Sequence, residues 1–487
     1  MSQHDHQASD DKQTTAALAR SLGAKELVVL VIAAAAPLSC TLGTIPLLYA
    51  FGNGAGAPFS FLVSTTVLYL FSIGYSRICR DVEEGGALYT YIARGLNACF
   101  GQGAAMLAIL SYLVFDIGCY AYTGYFARAL FGALPMFDIS WVGWTAISAV
   151  VIGILGYRQI DFSAKIIVLL LLFEFGLLLI FDGAIIVRLG AAAFSPVILD
   201  HRVILSGSPS IGLMFAFLCY IGFESAAIYS GEVLDPKRSI PLALYIAVFA
   251  LGLFYILTTW LTISLVGADR IQSLALADPG AFYFNLNQNL LGSFPTFLMK
   301  IFMFTSTVAT TLALHNAASR YIYAVACQNG LPAKLGAVHP IHGSPHMASF
   351  VTSIITVAPV LLSGMAGISP IIGIGSVMTS LGTIGVLALQ ALASISIVAF
   401  YARRGSGHWW STRLAPLLAS IVLGAIAVAA IRDFDLLSGT DNYAVNHLPL
   451  LLPIVFCFGF AQAVRMRTRE SASKIALLSA GSECAEG

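Results

Sequence analysis

Twelve mostly apolar stretches, each long enough to cross a lipid bilayer, constrain this chain more than any other feature. A spanning helix needs about 20 such residues. Segments 27–50, 58–78, 102–131, 138–157, 163–187, 209–231, 240–266, 294–326, 346–364, 370–401, 412–431 and 445–465 meet that demand. Only short polar stretches separate them, so no soluble domain is inserted. Lipid offers no partner to an open backbone N–H or C=O, so a span must satisfy its own backbone. The residue alternation that a membrane barrel needs is weak, which leaves helices. The expected fold is an all-α integral membrane protein of about 12 transmembrane helices in contact with the lipid bilayer.

Charge supports this reading. Only 10% of the 487 residues are charged and mean hydropathy is +0.86, against about 25% charged in a soluble protein. So little charge cannot clothe a surface facing water. A net charge of +1 gives no hint of a nucleic-acid partner. Residues 1–23 are polar, with Asp5, Asp10 and Asp11, and lack a basic start and a small-residue cleavage site. The first span is therefore expected to be an uncleaved anchor. Eight cysteines (Cys40, Cys79, Cys99, Cys119, Cys219, Cys327, Cys457 and Cys484) are scattered without a Cys-x-x-Cys, which predicts neither a disulfide framework nor a metal site. No metal-binding His/Glu pair, Gly-x-Ser-x-Gly elbow or nucleotide loop is present, so an enzyme is not expected and no cofactor is implied.

With both chain ends and alternate loops placed in the cytoplasm, 19 of the 25 Lys and Arg residues fall on that side. Such an excess predicts an even number of spans with both termini cytoplasmic.

Two spans read as interrupted. In the first, Pro37 and Pro46 bracket Ser39-Cys40-Thr41-Leu42-Gly43; proline removes a donor and clashes with the preceding turn. In the sixth, Cys219-Tyr220-Ile221-Gly222-Phe223-Glu224 places a glycine and a carboxylate mid-span. Broken helices at matching places in two halves point to a midplane binding site between inverted repeats. Ordinary kinks are the plainer alternative.

Several motifs stand in register around these breaks. The sixth span exits through Gly222-Phe223-Glu224, then Gly231-Glu232-Val233-Leu234-Asp235-Pro236-Lys237-Arg238-Ser239-Ile240-Pro241. Gly85-Gly86-Ala87-Leu88-Tyr89-Thr90-Tyr91 follows the second span. Asn316, Arg320, Asn329-Gly330-Leu331-Pro332, His339-Pro340 and Pro345 accompany the eighth span and its exit. Together these resemble the amino acid–polyamine–organocation superfamily, including its bacterial amino acid permeases. The Ala36-Pro37-Leu38-Ser39-Cys40-Thr41 variant of the first break is reminiscent of putrescine-importer-like members. The resemblance implies a LeuT-type fold with 5+5 inverted repeats plus two peripheral helices. Its parts would be a tail (1–26), a first repeat (27–205), a second repeat (206–401), helices 11–12 (402–470) and a C-terminal tail (471–487). It also implies secondary transport of an amino acid, with proton coupling or exchange, across the cell (inner) membrane. A polyamine or other amine is the alternative cargo.

An amino acid presents a carboxylate and an ammonium. Free N–H groups at a half-helix start suit the first, and free carbonyls suit the second. The carboxylate is thus expected along Ser39, Cys40, Thr41 and Gly43, and the ammonium along Leu218, Cys219, Tyr220, Ile221 and Gly222. Charged residues inside spans cost roughly 2.5–3.5 kcal/mol on insertion scales and are functional candidates by default. Glu174 lies mid-span near the position where some relatives carry a lysine in place of a sodium ion. It either carries a coupling proton or packs by a hydrogen bond. Glu224 is either a proton-sensitive latch or a stabiliser of the broken helix. Asp116 either meets a second ammonium or pairs with a neighbouring helix. Lys300 is expected to reach for the outer surface, while Glu232, Lys237 and Arg238 read as a cytoplasmic patch.

Overall fold

The computed structural model describes residues 23–82, 88–132, 137–158, 164–226 and 233–483. Gly85, Gly86, Ala87, Gly231, Glu232 and both chain ends lie outside them. The spans are α1 (Ala24–Phe51), α2 (Gly54–Asp81), α3 (Ala98–Phe131), α4 (Trp141–Tyr157), α5 (Ala164–Leu189), α6 (Pro209–Ala226), α7 (Pro236–Val266), α8 (Ser293–Cys327), α9 (His346–Met365), α10 (Pro370–Arg404), α11 (Trp410–Arg432) and α12 (Tyr443–Thr468). Eleven are long and apolar enough to cross a membrane; α4, with 17 residues, is the short apolar exception. Each falls on a predicted segment.

Local chemistry sets their ends. The Asn97 side chain accepts from the N–H groups of Cys99 and Phe100 at 2.9 and 3.1 Å and starts α3. Ser140 does the same for α4 by accepting from Gly143 N–H, which explains why that helix begins three residues later than its hydropathy predicts. Such caps satisfy donors that a helix start leaves unpaired. Prolines open α6, α7 and α10, where a missing N–H costs nothing.

α3 is the centre of the bundle. Its apolar window is 89% buried, against 17% for α12, and it packs against α8, α10 and α12. Small residues allow the close approach: a Cβ on Gly118 would sit 2.7 Å from the Gly375 carbonyl oxygen, and one on Gly382 would sit 2.7 Å from that of Ser111. This is how membrane helices associate without a hydrophobic gradient to drive them. α5 is two-faced. Leu172, Phe173, Ile180 and Val187 are exposed towards lipid, whereas Glu174 and Asp182 are buried.

Polar and close backbone contacts tie helix ends together on both sides of the bundle. On one side, Asn53 donates to the Ile204 carbonyl at 3.2 Å and accepts from Ser60 at 3.1 Å, and a Cβ on Gly52 would lie 2.7 Å from Gly212 Cα. On the other, Tyr401 donates to Asp81 at 2.5 Å and Arg403 to the Leu96 carbonyl at 2.9 Å. The loop after α8 turns at Asn329, whose φ is +59°, and Gln462 of α12 donates to the Gly330 carbonyl at 2.8 Å. The quoted Asn329-Gly330 motif is thus a tight turn fastened to α12.

Candidate functional site

Both predicted interruptions are present. In α1 regular helix stops at Ala34, Ala36 takes left-handed dihedrals (φ 45°, ψ 61°), and a new helical turn starts at Pro37. The break therefore lies one turn ahead of Ser39–Gly43, where the sequence places it. The residue preceding a proline is pushed out of the right-handed helical region, and an alanine in the left-handed region costs about 1–2 kcal/mol. Pro37 lacks an N–H, so the new turn leaves the N–H groups of Leu38 and Ser39 without a carbonyl in their own helix. The Ser39 hydroxyl is also buried and without a partner among the described residues. One helix start thus carries three unsatisfied donors.

The other α1 residues are more settled. The Cys40 thiol donates to the Ala35 carbonyl at 3.3 Å and the Thr41 hydroxyl to that of Pro37 at 2.8 Å. Gly43 lies within a wide turn, Cys40–Thr44, ahead of Pro46. A Cβ there would meet Met303 at 3.5 Å, an ordinary contact. Its conformational freedom is unused.

In α6 the helix ends at Leu218 with Cys219 as its cap. Gly222 turns the chain with φ +109°. A Cβ on it would lie 2.5 Å from the Ala34 carbonyl oxygen and 3.3 Å from Ala35 N. The two breaks therefore touch, main chain against main chain. Phe217 and Leu218 carbonyls accept from the N–H groups of Tyr220 and Ile221 at 3.0 and 3.1 Å, and the Cys219 carbonyl accepts from the Tyr255 hydroxyl at 3.1 Å. Each keeps a second lone pair. The Tyr220 side chain turns towards α2, its hydroxyl 2.7 Å from that of Thr65.

Glu224 anchors the exit turn. Its carboxylate accepts from Gly222 N–H at 3.1 Å and from the Tyr112 hydroxyl of α3 at 3.2 Å, and Tyr75 of α2 donates to its main-chain carbonyl at 3.4 Å. It holds the very glycine that meets α1. Glu174 accepts from the Ser306 hydroxyl of α8 at 3.3 Å, and both α5 and α8 pack against Pro37–Ser39. Asp116 faces α8 rather than a break. Its Oδ2 lies 4.0 Å from His315 Nδ1, and His315 Nε2 is 2.9 Å from the Ser349 hydroxyl of α9. Among the described residues neither Asp116 oxygen has a hydrogen-bond partner. Lys300 lies 5.8 Å from the Phe284 ring.

Sequence reading missed a further buried carboxylate. Asp182 of α5 is 2% exposed and accepts from the Thr258 hydroxyl of α7 at 2.7 Å. A charge inside an apolar segment, the signal that singled out Glu174, was equally present there. It also missed His315 as the neighbour of Asp116 and Tyr255 as the donor to Cys219.

Comparison with known proteins gives this geometry its context. The family profile described as "Amino acid permease" matches residues 26–463. The chain belongs to the amino acid permease family. It is 24% identical over 375 residues to the glutamate/serine transporter AimA of Bacillus subtilis, covering 69% of this chain and 65% of that protein. It is 20% identical over 297 residues to the low-affinity putrescine importer PlaP of Escherichia coli, covering 60% and 64%. The matches thus span just under two-thirds of either relative. Among solved structures, a manganese transporter mutant of Eremococcus coleocola superposes with a TM-score of 0.56 at 11% identity, covering 91% of this chain and 96% of that one. The fold is the LeuT-type arrangement, and the chain is a multi-pass membrane protein.

Proposed function

We propose that this permease is a secondary active transporter that imports an amino acid across the cytoplasmic membrane by alternating access, driven by protons. The observation that carries the reading is the meeting of two broken helices: Gly222 of the α6 break lies against the main chain of Ala34 and Ala35, next in sequence to a helix start with free N–H groups at Leu38 and Ser39. Donors at a helix start receive the carboxylate, and carbonyl lone pairs receive the ammonium. The basic-residue asymmetry supports a cytoplasmic position for both termini. Family membership and the glutamate/serine relative support this cargo class.

Glu174 is the coupling group. It sits on α5 against α8, and both helices flank the break in α1. Protonated, it is a neutral partner for Ser306; ionised, it is a buried charge with one neutral donor, which favours the conformation that admits water. One proton descending a 100 mV potential releases about 2.3 kcal/mol, enough for roughly fifty-fold accumulation of a neutral solute. Uptake into proteoliposomes at imposed pH gradients, with a panel of amino acids and diamines, tests the proposal. Glu174→Gln is expected to abolish gradient-driven accumulation and retain exchange at zero gradient. Wild-type uptake indifferent to the gradient sinks the coupling.

One observation favours a diamine as cargo. Asp116 has two unpartnered oxygens, and a putrescine importer is among the relatives. Inhibition of uptake by putrescine but not by neutral amino acids selects that cargo.

A further inference from the structure

Asp182 lies two helical turns beyond Glu174 on α5, about 12 Å further along the axis. Its Oδ2 takes the Thr258 hydroxyl at 2.7 Å, while its Oδ1 is buried with no partner. A buried carboxylate with one neutral donor and one orphaned oxygen is costly as an anion. A ligand on Oδ1 completes it.

The surroundings identify that ligand. The Thr262 hydroxyl, one turn on from Thr258, donates to the Thr258 carbonyl at 2.7 Å and lies 3.4 Å from the Tyr283 hydroxyl; Tyr283 is in turn 3.4 Å from the Tyr49 hydroxyl. Polar groups thus step from α5 to α7, to the short helix Phe282–Leu291, and to the second half of α1. The titratable groups on which the Asp182 carboxylate acts are Tyr49 and Tyr283. The Tyr255 hydroxyl of α7 is engaged by Cys219, Glu174 of α5 faces Ser306, and Lys300 of α8 lies over Phe284. Glu26, on the first half of α1, accepts from Gly23 at that helix's start, and the Pro37–Ser39 turn carries no ionisable side chain. Among the described residues no cation pairs with Asp182, and hydroxyls rather than a cage of carboxylates surround it. That environment suits a proton.

We propose that Asp182 is a second proton-binding site, loaded from the outer side when the second half of α1, which carries Tyr49, swings away from Tyr283 and α7. The proton binds Oδ1 and no covalent bond to any other group changes. Loaded, the neutral carboxyl lets α1, α5 and α7 close over the cargo. Unloaded, the anion draws water and holds them apart. External acid therefore tightens cargo binding through Asp182, whereas Glu174 serves the inner half of the cycle. The assignment rests on the proton-coupled reading above.

The test uses the full chain in oriented proteoliposomes and reads the apparent KM for uptake as external pH varies between about 5 and 8 at fixed internal pH. Wild type is expected to bind more tightly as external pH falls. Asp182→Asn is expected to flatten that profile, and Thr258→Val, which keeps the carboxyl but removes its donor, to shift the midpoint upwards. Melting temperature and size-exclusion elution identify folded variants; if Asp182→Asn fails to fold, Thr258→Val and Tyr283→Phe decide. An unchanged profile in the folded variants overturns the assignment while leaving coupling intact. A wild type indifferent to pH on both sides overturns the coupling itself. A profile that appears only when sodium is present assigns Oδ1 to sodium and also overturns it.

Discussion

In α1 the hydrogen-bond ladder stops where Ala36 takes a left-handed conformation ahead of Pro37; in α6 it ends at Leu218, and Gly222 then turns the chain without strain. The consequences differ as much as the causes. The start of the second α1 half-helix keeps free N–H groups and an unpartnered Ser39 hydroxyl. The end of the first α6 half-helix is largely tied up, by the turn itself, by Tyr255 and by Glu224. One break is thus an open donor site and the other a pre-organised acceptor whose carbonyls offer only their second lone pairs. Anchoring of a zwitterion is expected to be dominated by its carboxylate, with the ammonium acting as a check on fit.

Substitutions can break or sharpen this contrast. The largest effect is expected at Gly222→Ala. A side chain there is strained by the positive φ, at about 1–3 kcal/mol, and overlaps the Ala34 carbonyl at 2.5 Å. Transport should be lost and the melting temperature should fall; normal uptake would show that the breaks need not touch. Next is Ser39→Ala, which removes a hydroxyl with no partner among the described residues. KM should rise about tenfold or more, the range of a hydrogen bond to a charged group, with stability unchanged. A fall in stability of the empty protein would assign that hydroxyl to packing. Tyr255→Phe should act in the opposite sense on the two readouts. It costs about 1 kcal/mol of stability by leaving the Cys219 carbonyl short of a donor, and it changes KM less than Ser39→Ala does. The smallest effect is expected at Gly43→Ala, less than about twofold in uptake, because the added methyl meets Met303 at ordinary contact distance. If Gly43→Ala proves as damaging as Gly222→Ala, the α1 break reaches further than its backbone indicates.

The membrane spans were legible because hydropathy is a local property: about 20 apolar residues announce themselves wherever the rest of the chain goes. The α6 break was legible in Gly222 and Glu224 for the same reason. In α1 the same reasoning landed a turn late, since it set the break between Pro37 and Pro46, whereas the turn is made by Ala36. Proline acts on the residue before it, and Pro37 carried that signal. What no window of sequence reveals is who faces whom. Asp182 is a visible charge in an apolar segment, yet its donor Thr258 is 76 residues away. Likewise His315 is separated from Asp116 by four other spans, and only packing brings their side chains to 4.0 Å.

Where Gly222 rests on Ala34, no side chain mediates the contact between the two halves of the protein. A contact built from main chain alone cannot be retuned by swapping residues on its partner, only spoiled by adding bulk. In the transport cycle proposed above this contact is the pivot, and Ser39, Cys40 and Cys219 are walls of the cargo site. A changed cargo preference is then expected from substitutions in those walls that leave the pivot as it is.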